Sequence, residues 1–157
     1  MFTFKAKLVG ALILFLSHEV FAAEKSASPT LADVDVEGAY INVPLPGKRS
    51  TAGFFTLHNR SDKDIALVAV QSNLADRIEL HRHSHEGGMM KMRREQQVIV
   101  PAHTRVTFTS GAYHLMFFNL LREIRTGDEV EITLIFEGDQ RYPVTAQVKS
   151  LFDQKHH

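Results

Sequence analysis

The stretch from Thr104 to Phe118, TRVTFTSGAYHLMFF, holds two β-like runs and the turn between them. Thr104 to Thr109 alternates, with Val106 and Phe108 as its apolar positions, while Tyr113 to Phe118 is nearly all apolar. Ser110-Gly111 punctuates the two. Alternation with a period of two is a strand signal, and so is a short apolar run bounded by turn residues.

The same grammar continues in both directions. Upstream, Val34–Glu37 and Ala39–Val43 are closed by Pro44, Pro46 and Gly47. Gly53–His58 (GFFTLH) ends at Asn59-Arg60-Ser61-Asp62, and Ile65–Val70 is a third run. Arg77–His83 alternates around Ile78 and Leu80, and Val98–Val100 stops at Pro101. Downstream lie Val130–Phe136 and Tyr142–Val148. Leu120–Arg125 reads as one turn of helix or a loop. No segment sustains a 3.6-residue period. With 34–37 and 39–43 counted as one interrupted run, nine short strands separated by turns predict an all-β sandwich or barrel.

At 157 residues with 44% hydrophobic content, the chain has enough apolar material for one core. Lys and Arg number 18 against 18 Asp and Glu, so the basic footprint of a nucleic-acid binder is absent. Lys5 and Lys7 precede an apolar core, Leu8–Leu16 (LVGALILFL), and Val20-Phe21-Ala22 supplies a cleavage site. Residues 1–22 therefore read as a secretory signal peptide, cut after Ala22 or Ala23. The apolar run is about half of the roughly 20 residues that span a bilayer, so no membrane anchor is expected after processing. Residues 23–32 read as a flexible leader, 33–150 as the domain and 151–157 as a short tail. The expected location is the periplasm. The chain has no cysteine, hence no disulfide, no thiolate metal ligand and no lipid attachment through that residue.

Apart from the initiator, the methionines are Met89, Met90, Met92 and Met116, and all lie in two short segments that also carry histidine. His114 and Met116 stand at i and i+2, so on a strand they project from one face about 6–7 Å apart. His81 and Met92 are distant in sequence, and a sandwich can bring them alongside at one rim. Two imidazoles and two thioethers are soft, neutral donors that suit Cu(I). Mg2+ and Ca2+ want oxygen, and Zn2+ prefers thiolate, imidazole or carboxylate.

The frame His81, ten residues, Met92, twenty-one residues, His114-Leu115-Met116 resembles that of the periplasmic copper chaperone family PCuAC. The surrounding text is also similar: Gly53–Asn59, Ile78–His81, Gly88–Arg93, Gly111–Met116 and Ile132–Phe136. The resemblance covers about Gly38 to Val148. It implies a cupredoxin-like Greek-key β-sandwich that binds Cu(I) at a rim through His81, Met92, His114 and Met116. It also implies delivery of copper to cuproenzymes, notably the CuA centre of cytochrome c oxidase. The partner would be a CuA-type oxidase subunit or a Sco-like carrier, met by a monomer in transient contact. Met89 and Met90 offer transient donors along the way.

Other readings stay open at this point. His81-Arg82-His83-Ser84-His85 reads as a solvent-exposed polar loop before Gly87-Gly88. Were it extended, His83 and His85 would share a face with His81, and imidazoles in that number favour Cu(II) or Zn2+. Met90, His83 and His85 are thus secondary metal candidates, in a metal-buffering module without a delivery role. A blue-copper electron carrier is excluded by the missing Cys ligand. An enzyme is not expected: Asp62, Asp64, Asp76, Glu79, Glu86 and Glu95 show no paired spacing, and no nucleophile-elbow pattern occurs.

Overall fold

In the computed structural model, residues 31–151 are described, apart from the side chains of Leu31, His85 and Glu86. The expected signal peptide, the leader up to residue 30 and the tail from residue 152 lie outside the described residues.

A short 3-10 turn, Leu31–Asp33, leads into ten strands: β1 (Val34–Asn42), β2 (Ser50–Asn59), β3 (Ile65–Gln71), β4 (Ala75–Glu86), β5 (Met89–Glu95), β6 (Val98–Val100), β7 (Arg105–Phe108), β8 (Tyr113–Leu120), β9 (Glu129–Phe136) and β10 (Gln140–Lys149). The fold is all-β, and Leu120–Arg125 is the end of β8 followed by a loop rather than a helical turn. The runs at 34–37 and 39–43 are one strand whose register against β2 shifts between Glu37 and Tyr40.

Hydrogen bonding links the strands in the order β5-β4-β8-β7-β2-β1-β10-β9-β3-β6, with β8 also paired to β2. β3 and β4 lie near opposite ends of this order, yet only Ser72, Asn73 and Leu74 join them. The open sheet must therefore fold over on itself, so that both ends flank one core. Its pairs are antiparallel except β1–β10 and β7–β8. The core is one cluster drawn from nearly every strand, with Phe108, Phe117, Leu57, Leu67, Leu115 and Leu134 among its fully buried members.

The strand absent from the sequence reading is β5. Its residues MMKMRRE are exposed almost throughout, so nothing in them alternates against a core. The reading of His81–His85 as a loop is also corrected, because β4 stays extended to Glu86. The cause is the turn. Gly87 and Gly88 both take positive φ, 60° and 79°, the pair of left-handed residues that a tight hairpin requires. That turn fixes the register Glu86↔Met89, His85↔Met90, His83↔Met92 and His81↔Arg94.

Asn59, at 0% exposure, ties the other end of the sheet together. Its amide donates to the carbonyls of Lys63 (2.7 Å) and Val100 (2.9 Å), and its oxygen accepts from the Ser61 backbone N–H and hydroxyl. Asn59→Ala removes the hydrogen bonds that the amide makes to Lys63 and, in the buried interior, to Val100. We expect it to cost about 2–3 kcal/mol, seen as a lower urea midpoint at unchanged m-value.

Candidate metal centre

The site is built on β4, β5 and β8, which lie side by side. Leu80, Leu115 and Phe117 point into the core. The alternate residues therefore share the outer face. His81 stands directly opposite His114, and Glu79 opposite Met116. Met92 stands opposite His83, one diagonal step from His81. His81, Met92, His114 and Met116 are thus neighbours on one face of three adjacent strands, rather than strand ends gathered at a rim. The register of β4 against both partners is what puts them there.

The rings of His81 and His114 have centroids 5.7 Å apart, with planes at 61°. Two imidazoles bonded to one ion at about 2.0–2.1 Å keep their centroids within roughly 6.4 Å, so this spacing is compatible with a shared ion. One nitrogen of each ring is already committed. His81 Nε2–H donates to Glu79 Oε2 at 2.8 Å, and His114 Nδ1–H donates to the carbonyl of Ala112 at 3.1 Å. The other nitrogens, His81 Nδ1 and His114 Nε2, are buried without a hydrogen-bond partner. Buried polar atoms are normally paired, so two orphaned lone pairs on adjacent rings mark a place for a cation. Burial lowers the pKa of His114, overriding the opposing pull of the Ala112 carbonyl. The ring is thereby kept neutral and its free nitrogen a donor.

Glu79 is the residue that sequence reasoning missed. The bond from His81, and then the charges of Arg94 and Arg77, hold its carboxyl below the ordinary glutamate value despite burial. Arg77 lies 3.2 Å away and Arg94 3.6 Å. Metal-bound imidazoles commonly donate their second N–H to a carboxylate or carbonyl, which fixes the tautomer. Both rings here have such a partner. The signal was present in Glu79-Leu80-His81, where i and i+2 share a strand face.

As placed, the imidazoles do not make a site by themselves. Among the described residues, no group of three or more His, Cys, Asp or Glu side chains is arranged to hold an ion. Met92 and Met116 add two thioether sulfurs to this face. Met92 is half exposed and Met116 partly buried. The side chain of His85, the remaining secondary metal candidate, lies outside the described residues.

Residues 34–148 match the LpqE-like lipoprotein family model. The Cu(I) form of DR1885 from Deinococcus radiodurans, solved in solution, is 34% identical. The match covers 81% of this chain and 83% of that one, with a TM-score of 0.63. Its apo form is 30% identical over 94% of this chain and 95% of that one, with a TM-score of 0.60. The copper-bound PCuAC domain of PmoF2 shares the fold, with a TM-score of 0.65, 22% identity, and 75% and 93% of the two chains covered. The chain belongs to the PCuAC family. An uncharacterized protein of Rickettsia prowazekii, RP573, is 29% identical over 108 residues, which are 68% of this chain and 60% of that protein. The chain thus spans about 60% of the length of that curated relative. In this PCuAC chain, the His-Met frame of the sequence falls on strands that bring its members side by side.

Proposed function

We propose that this PCuAC protein binds Cu(I) through His81 Nδ1, His114 Nε2 and the sulfurs of Met92 and Met116. We further propose that it carries the ion through the periplasm to copper enzymes, the CuA centre of cytochrome c oxidase among them. The observation that supports the ligand set most is the pair of orphaned imidazole nitrogens beside two thioethers on one sheet face. The relatives solved with copper point the same way.

Copper is cargo here, not a resident catalyst, and no bond of a substrate is made or broken. All four donors are neutral, which suits a soft univalent ion. The arrangement also suits release. Met92 is 49% exposed, so an acceptor thiolate approaches from solvent and displaces this thioether first. The copper stays univalent throughout, and the stronger thiolate donors draw it away. His114 is 3% exposed and keeps hold until last.

The test is an anaerobic titration of the mature chain, residues 23–157, against a chromophoric Cu(I) chelator. A tightly held Cu(I) that passes to a dithiolate acceptor fragment is the expected result. No competition with the chelator ends this reading. Glu79→Gln removes the carboxylate that orients His81. It is expected to weaken Cu(I) binding by about 10-fold. An unchanged affinity in the same chelator assay would show that the His81 tautomer needs no such support.

A further inference from the structure

His83 borders the inner ligand set without belonging to it. Its ring lies against that of His114, with centroids 4.8 Å apart and planes 23° apart. Stacked rings direct their nitrogens in near-parallel planes, not at a common ion. Yet His83 Nδ1 is also buried with no hydrogen-bond partner. Directly across from it on β5 is Met92, and one diagonal step toward the hairpin turn is Met90. Such diagonal neighbours stand about 7–8 Å apart, within reach of long side chains. Met90 is 55% exposed. Met89, one residue earlier in the strand and opposite Glu86, belongs to the other face.

We propose that His83 and Met90, with the Met92 thioether as a shared third donor, form an outer site for a second Cu(I) at the tip of the β4–β5 hairpin. The inference rests on the Cu(I) reading of the inner set and adds a loading stage to it. Cu(I) has a filled d shell and tolerates low coordination numbers, so one imidazole and one or two thioethers suffice. The cationic side chains nearby do not oppose it. Arg82, Lys91 and Arg93 are on the opposite face by register. Arg94, on the site face, is paired with Glu79 at 3.6 Å. An ion captured at the exposed tip exchanges its carrier's ligands for His83 and Met90. It moves inward when Met92 swings from His83 toward His81. No electron is transferred at any step.

The test is an anaerobic NMR titration of the mature protein, labelled at methionine methyls and histidine ring nitrogens, with Cu(I) supplied as its acetonitrile complex. The first equivalent is expected to move Met92, Met116, His81 and His114. The second is expected to move Met90 and His83. His83→Gln and Met90→Leu each should leave the first step unchanged and weaken the second by at least about 10-fold. If a second equivalent leaves Met90 and His83 unmoved, or both variants bind it normally, the outer site is refuted while the inner one stands. If the first equivalent leaves Met92 and Met116 unmoved, the inner reading fails and the outer site falls with it.

Discussion

Replacing Met92 and Met116 together with leucine is expected to lower Cu(I) affinity by more than about 100-fold, since losing a mere supporting partner already costs 10–100-fold. The change removes sulfur and little else. Leucine and methionine are close in volume, and such swaps usually cost less than about 1.5 kcal/mol. Met92 is half exposed and Met116 sits on the outer face, so neither supports the core. His81 and His114 remain, with Nδ1 and Nε2 still free. Residual binding through two imidazoles should therefore persist, and affinity for harder ions such as Zn2+ should hardly change. The loss of preference for Cu(I) over Zn2+ is the distinguishing readout. Chelator competition under anaerobic conditions measures it, and an unchanged urea midpoint shows that the fold is intact. Full Cu(I) affinity in the double variant would remove the thioethers from the ligand set.

How much of this was legible beforehand follows from the range of each interaction. The i, i+2 relation of His114 and Met116 is local and could be read directly. So were the strands that bury one face, because Val106 and Phe108, or Ile78 and Leu80, alternate against a core. β5 was not legible, since MMKMRRE buries no face and its place rests on hydrogen bonds and ion pairs with β4. The neighbour relations of the site were hidden for a related reason. Which residue stands opposite His81 depends on the register of β4 with β8, strands more than thirty residues apart. That register is set by core residues Leu80, Leu115 and Phe117, none of which carries a donor. Glu79 was visible as a residue, yet its role emerges only once His81 is placed with one nitrogen facing it and the other free.

The core behind the site should therefore be as sensitive as the site itself. Phe117→Ala is expected to cost about 3–5 kcal/mol, lowering the melting temperature by roughly 10–20 °C in a domain of this size. Phe117 is 0% exposed and lies on β8 next to Met116, with its side chain on the core side. Its ring rests on the backbone of Gly53 in β2, where an added Cβ would stand 2.8 Å from Phe117 Cε2. Gly53→Ala alone is thus expected to cost about 1–3 kcal/mol by overpacking. The two changes act on one space from opposite sides. In the Phe117→Ala background the Gly53 methyl meets a cavity instead of a ring, and its cost should vanish or reverse. Urea denaturation of the two single variants and the double variant measures this coupling. Additive losses would mean that the ring and the glycine are not in contact. Saturating Cu(I) should stabilise Phe117→Ala less than it stabilises the unsubstituted protein, because a ligand that binds only the native state stabilises it by an amount that grows with its affinity, and a displaced β8 holds the ion more weakly. A smaller gain would link the seating of β8 on β2 to the face where His114 and Met116 stand, and an equal gain would separate the two.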